Sequence, residues 1–203
     1  MRTDKNTLSI VAAVVETINR LTTRTLTTRI IDLGCSDGQL LHALRGVGYQ
    51  NLWGVGYDVR QIEGFQIVAG VDLCVPGFPD SIPRNDFDIV IGTEVIEHLV
   101  NPYQFLANCR ELLKANGALV LTFPNIHNLR SIIGYALQGR YSGFFGPNFN
   151  AEHPLHDQHI WIPNMHLVRY FMKLNGLAVD VIQYVNGFGR LWSQTTLLVA
   201  RAA

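Results

Sequence analysis

Short apolar runs, each stopping at a glycine, an aspartate or a proline, set the strongest constraint on how this chain can fold. Residues 29–33, 52–57, 66–71, 87–92 and 117–123 are such runs. A strand buried on both faces reads as a continuous apolar segment, whereas a half-exposed strand alternates. Helical periodicity marks 7–21, 38–47 and 102–113; the last has Pro102 in its first turn and Asn116-Gly117 beyond its end. Strand and helix in this rhythm require right-handed crossovers and a mostly parallel sheet. A helix over 164–174 and strands over 178–184 and 195–200 close the pattern. The fold class expected is α/β: seven strands in a doubly wound, mostly parallel sheet with helices on both faces.

Composition narrows the class further. At 203 residues, with 48% hydrophobic and 16% charged side chains, the chain suits a single domain with a substantial core. The irregular stretch at about 125–163, rich in Asn, His, Gly and aromatics, reads as an insertion after the fifth strand. Formal net charge is zero, so no global field draws in nucleic acid or an acidic membrane. Cys35, Cys74 and Cys109 are few and far apart, and form no CxxC pair, which fits thiols in a reducing cytoplasm. Arg2 and Lys5 precede an apolar stretch that faintly resembles a secretory leader. Glu16 follows at once and no small-x-small cleavage site comes after it, so a cytoplasmic location is expected. No apolar run approaches the roughly 20 residues that a membrane span needs.

The first strand runs into Asp32-Leu33-Gly34-Cys35-Ser36-Asp37-Gly38. Gly34 and Gly38 allow a sharp turn and close approach of backbone to a ligand at the carboxyl ends of the strands. A dinucleotide site requires GxGxxG and a pyrophosphate on the helix N-terminus. The pattern here is DxGxxxG. An acid two residues before the first glycine repels pyrophosphate but can position the ammonium of an amino acid, directly or through water. That favours a cofactor with an amino acid tail and no phosphates; the alternative is a tight strand-to-helix turn with no ligand. Asp58 follows the next strand, where a carboxylate can accept both hydroxyls of a ribose. Asp72-Leu73 follows the third strand, where an acid can accept a hydrogen bond from an adenine amino group, or can merely make a turn.

In chain order, DLGCSDG, GVGYD, VDL, FDIVIGTEVIEHLVNP and RELLKANGALVLTFPN resemble the class I methyltransferases, most of all the branch serving bacterial small-molecule, lipid and surface-polysaccharide metabolism. The resemblance covers residues 30–125 closely and the rest loosely. It implies a Rossmann-like fold, S-adenosylmethionine as cofactor, S-adenosylhomocysteine as product, and a small-molecule or glycan acceptor methylated on oxygen or nitrogen. By the same resemblance Asp32, Gly34, Cys35 and Gly38 form the methionine-side loop and Asp58 holds the ribose. Asp72 and Leu73 bracket the adenine, and Thr93 and Glu94 face the methionine or the acceptor. Two departures stand out: Ser36 occupies a place where the family usually has glycine, and there is little room for a helix after Asp58. Thr93-Glu94-Val95-Ile96 replaces the Asn/Asp-Pro-Pro-aromatic signature of nucleic-acid members, so no nucleic-acid acceptor is expected. Monomer and homodimer are both open.

Glu97-His98 is expected to open a helix. His98 is the candidate general base for an acceptor hydroxyl; its alternative is a packing role in this loop. The insertion holds His127, His153, His156 and His159, with Asp157. Spacing of i, i+3, i+6 does not put three imidazoles on one helix face and no cysteine joins them, so no metal is expected. With Asn125, Tyr141, Phe144, Phe145 and Trp161, the segment reads instead as a wall over the acceptor, or as ordinary packing. A catalytically inactive binding module on the same fold is the competing function, and a nicotinamide oxidoreductase is disfavoured by the missing GxGxxG.

Overall fold

The computed structural model describes residues 5–22, 26–82, 86–146, 149–150, 152 and 158–203. Helix α1 (Lys5–Leu21) leads into β1 (Arg29–Leu33), α2 (Gln39–Gly46), β2 (Asn51–Gly56), β3 (Gln66–Ala69) and β4 (Phe87–Thr93). Then come α3 (Pro102–Leu112), β5 (Leu113–Pro124), α4 (Leu129–Gln138), α5 (Met165–Leu174), β6 (Leu177–Val185), the short α6 (Gly189–Trp192) and β7 (Thr195–Ala202). All seven strands form one sheet in the order β3-β2-β1-β4-β5-β7-β6. Pairings from β3 through β5 are parallel, and β7 lies antiparallel between β5 and β6.

The apolar runs become strands because helices cover both sides of them. On one face Ile31, Leu33 and Val90 pack with Phe105 and Leu112 of α3 and Met172 of α5. On the other, Ile30, Ile89 and Ile91 meet Val14 and Ile18 of α1 and Leu41 and Leu44 of α2. Alternate residues of one strand thus enter different cores, and each fully buried side chain contributes roughly 2 kcal/mol of burial.

Starting from β1 the chain winds outward to β2 and β3, then returns to β4 on the other side of β1. The sheet order reverses there, so a crevice opens beyond the carboxyl ends of β1 and β4. Among the described residues no helix is long and apolar enough to cross a membrane.

Three local differences from the sequence reading have clear causes. The expected helix at Glu97-His98 is a single 3-10 turn, Ile96–His98; the α-helix begins only at Pro102, where Asn101 accepts the Gln104 N–H as its cap. β5 starts at Leu113, before the Asn116-Gly117 break, because Leu113 pairs with Phe87 ahead of a register shift. Residues 129–138, within a stretch read as irregular, form α4, capped by Asn128 on the Ser131 N–H and ended by Gly139 in the left-handed region.

Candidate active site

A cavity of about 570 Å³ lies in the crevice, within the range usual for cofactor sites. Gly34, Asp58, Asp72 and Leu73 border one part of it, and Glu94 and His98 the other. Six of the residues singled out in the sequence therefore line one space. Asp32, Cys35, Gly38 and Thr93 are not among its lining residues.

The loop after β1 is held by its own backbone: the N–H groups of Gly34 and Cys35 both donate to the Val55 carbonyl, at 2.7 and 3.1 Å. Gly34 has φ +83°, and a Cβ on it would collide with Val95. Gly38, at φ +78°, is the N-cap of α2, and a Cβ there would run into Ile62. Both positions favour glycine by their left-handed conformation. Ser36 lines the cavity in the left-handed region, at φ +47°, a cost of roughly 1 kcal/mol for a residue with a Cβ. Ser36→Gly is expected to raise the unfolding free energy by about 1 kcal/mol, read from denaturant midpoints.

Asp32, the penultimate residue of β1, has its side chain buried, and burial pushes its carboxyl up to about 7. Cys35 turns its thiol into the core beside Gly54, and burial pushes that thiol up to about 12. It offers the loop its backbone, and a buried, protonated thiol is a poor nucleophile. Thr93 has its hydroxyl buried with no hydrogen-bond partner among the described residues.

On the far side of the crevice Asp58 is exposed and lies two residues beyond β2; no helix intervenes between β2 and β3. Asp72 does make a turn, its Oδ1 accepting the Cys74 N–H at 2.8 Å, while still lining the cavity. The loop it begins is anchored from below by a residue that sequence reasoning missed. Asn108, wholly buried on α3, donates to the carbonyls of Leu73 and Val75 at 3.0 Å each and accepts from Gln104 Nε2 at 2.9 Å. Its signal was a polar residue on the helix face shared with Phe105, Cys109 and Leu112. Asn108→Ala leaves two carbonyls without a donor and is expected to destabilise the fold by about 3 kcal/mol; a denaturant titration measures it.

Glu94 occupies the left-handed region at φ +50°, held by its N–H donating to the Thr122 carbonyl and hydroxyl at 3.1 and 3.0 Å. A strained non-glycine residue so placed is characteristic of functional sites. Burial pushes its carboxyl up to about 7. Glu94 also borders a second cavity of about 280 Å³, with Asn6, Asn128, Arg130, Ser142 and Gln194.

Behind it, Glu97 is fully buried, and neither carboxylate oxygen has a hydrogen-bond partner among the described residues. Burial, then the charge of Glu94, holds its carboxyl well above the usual range. The Glu97 carbonyl accepts the N–H groups of Ile160 and Trp161, at 2.9 and 3.0 Å. That tie brings His159 edge-on to His98, with ring centroids 4.7 Å apart. His159 also packs on Phe144 at 5.1 Å, and burial lowers its pKa. His98 Nδ1 lies 3.1 Å from the Gln158 carbonyl.

Other parts of the expected acceptor wall pack elsewhere. Asn125 donates to the carbonyls of Arg190 and Ser193, Trp161 stacks on Phe171, and Tyr141 stacks on Tyr135. Phe145 packs edge-on against Phe149, and His127 borders a separate cavity with Arg190. His153, His156 and Asp157 lie outside the described residues.

A model of the methyltransferase domain matches residues 10–180. The chain belongs to the methyltransferase domain family. S-adenosylmethionine is the cofactor of this class I family, and the cavity bordered by Gly34, Asp58 and Asp72 is of a size to admit it. A ubiquinone biosynthesis O-methyltransferase from Bradyrhizobium diazoefficiens is 33% identical over 102 residues, which is 48% of this chain and 40% of that protein. One of the same name from Maricaulis maris is 29% identical over 104 residues, or 48% and 41%. The matched part of this methyltransferase-family chain thus spans well under half the length of those relatives. Among solved structures, the magnesium protoporphyrin IX methyltransferase from Synechocystis with bound S-adenosylhomocysteine superposes with TM-score 0.68 at 14% identity, covering 100% of this chain and 90% of that one. An S-adenosylmethionine-dependent methyltransferase from Mesorhizobium loti gives TM-score 0.63 at 11% identity, covering 94% and 99%. These two likenesses concern the fold.

Proposed function

We propose that this protein methylates a hydroxyl oxygen of a small-molecule acceptor, releasing S-adenosylhomocysteine and a methyl ether. The observation that carries this reading is one cavity with Gly34, Asp58 and Asp72 on its cofactor part and Glu94 and His98 where a second cavity adjoins. When bound, S-adenosylmethionine supplies a methyl group already activated on a sulfonium. The protein's task is alignment and exclusion of water. Asp58 accepts the ribose hydroxyls, and Asp72 and Leu73 bracket the adenine. The loop of Asp32, Gly34, Cys35 and Gly38 shapes the methionine side, with Asp32 charge-matched to its ammonium. Thr93, Glu94 and His98 face the transfer point.

The acceptor oxygen attacks the methyl carbon while the carbon–sulfur bond breaks, its electron pair going to sulfur. The hydroxyl proton leaves toward the polar cluster of Glu94 and His98. The curated relatives carry O-methyltransferase names, which supports oxygen as the attacked atom. The second cavity, with Asn6, Asn128, Arg130, Ser142 and Gln194, favours an acceptor with several hydroxyls, so a sugar is the second reading beside a phenol. The buried, unpaired thiols of Cys35, Cys74 and Cys109 suit a cytoplasmic setting.

The test supplies methyl-labelled S-adenosylmethionine with separate panels of phenols and sugars. Acceptor-dependent formation of S-adenosylhomocysteine with label in an alkali-stable ether supports the proposal. Binding of S-adenosylhomocysteine with no turnover on any acceptor supports an inactive module instead.

A further inference from the structure

We propose that His127, His166, Arg169 and Arg190 form a binding site for a phosphate group carried by the methyl acceptor. These residues line a cavity of about 220 Å³ between α5 and the carboxyl end of β5. His127 lies in the turn after β5, His166 and Arg169 stand one turn apart on α5, and Arg190 is on α6. Pro124 and Asn125 line both this cavity and the one that Glu94 shares with Arg130 and Ser142. The basic cluster therefore adjoins the proposed acceptor space, and none of its members lines the cofactor cavity.

Two observations point to an anion. The first is uncompensated charge. No carboxylate lines the cavity, and neither arginine has an ion-pair partner among the described residues. The whole chain balances 16 lysines and arginines with 16 acids, so this excess of one sign is local. Burial, then the charges of Arg190 and His166, lowers the pKa of His127, which shows how close these groups stand. Like charges held together raise the energy of the folded state, and an anion among them reverses the sign of each interaction.

The second is that the backbone beneath the cluster is held in place. Asn125, only 3% exposed, accepts the His127 N–H at 3.0 Å and donates to the Arg190 carbonyl at 2.7 Å. One buried side chain thus fixes two of the cations, which come from distant parts of the chain. Asn164 caps α5 by accepting the His166 N–H at 2.9 Å, which sets the turn that carries the third.

Two guanidinium forks suit the oxygens of a phosphate monoester, which carries about −1.5 to −2 charges at neutral pH. A carboxylate would neutralise only one of the two arginines. Two imidazoles add N–H donors for the remaining oxygens. That the phosphorylated molecule is the methyl acceptor rests on the methyl-transfer reading; binding of phosphate itself does not.

The experiment titrates the full chain calorimetrically at constant ionic strength and without cofactor, using inorganic phosphate, a hexose and the phosphate ester of that hexose. One equivalent of phosphate should bind saturably. Arg169 and Arg190 are exposed, so their replacement strands no buried group. Arg169→Gln and Arg190→Gln should each weaken phosphate binding by about 10-fold or more, while Arg201→Gln, at the far end of β7, binds as wild type. The ester should bind about 10-fold tighter than either phosphate or hexose alone. Absence of saturable phosphate binding, or binding unchanged in both arginine variants, overturns the site. An ester no tighter than inorganic phosphate overturns the link to the acceptor and makes the ligand free phosphate. Since no S-adenosyl ligand is present, a failure here is distinguishable from failure of the cofactor assignment.

Discussion

Asp58→Ala is expected to weaken S-adenosylhomocysteine binding by about 100-fold while leaving thermal stability unchanged. Asp58 is exposed at the mouth of the cavity, so its removal opens no void and strands no buried partner. What is lost is the carboxylate proposed to accept two ribose hydroxyls. Hydrogen bonds to a charged group contribute about 1.5–3 kcal/mol each; a total near 3 kcal/mol corresponds to about 100-fold in affinity. Asp58→Asn keeps one acceptor and should fall between. Titration calorimetry reads the affinity. A change below about threefold would place the ribose elsewhere.

Asp32 carries the second large effect, on pH dependence. Its carboxyl is pushed from 3.8 up to about 7 in the folded protein because it is buried. The native state therefore keeps a proton that the unfolded chain gives up. The stability this confers is fully present below about pH 4 and is lost as pH rises toward 7 and beyond, at about 4 kcal/mol for this group. Glu94, also raised to about 7 by burial, adds a slope of the same sign. The reading is thus the difference between wild type and Asp32→Asn. The ligand-free variant should outlast wild type in denaturant at pH 8, with the gap closing at pH 4. If Asp32 faces the cofactor ammonium, S-adenosylhomocysteine affinity in wild type rises with pH over the same window. In Asp32→Asn that rise disappears. Identical denaturant midpoints at pH 8 would mean that Asp32 carries no such burden.

The central strands were legible because both their faces are buried, leaving Ile30, Ile31, Val90 and Ile91 no polar alternation to blur the pattern. The Gly34 and Gly38 turn was legible for a different reason: its backbone needs left-handed residues whatever packs around it. Helix α4 escaped notice although Asn128 and Gly139 mark its ends. Its apolar residues face outward, Ile133 being 48% and Leu137 79% exposed, so it lacks the usual core-facing stripe. The association of His159 with Glu97 and His98 is a tertiary fact. It depends on backbone hydrogen bonds from Ile160 and Trp161 to Glu97, and local His-x-x-His spacing points to different partners. Asn108 was visible as a polar interruption of an apolar face, but what it binds, the loop of residues 73–75 beside the cavity, follows only from packing α3 beneath it.

The most direct test of the account is calorimetric titration of the purified protein with S-adenosylhomocysteine, with NAD as control. Saturable binding of S-adenosylhomocysteine at one equivalent, lost in Asp58→Ala, and no heat from NAD is the predicted result. Binding of NAD, or S-adenosylhomocysteine affinity untouched by Asp58→Ala, would contradict the cofactor site assigned to the crevice beyond β1 and β4.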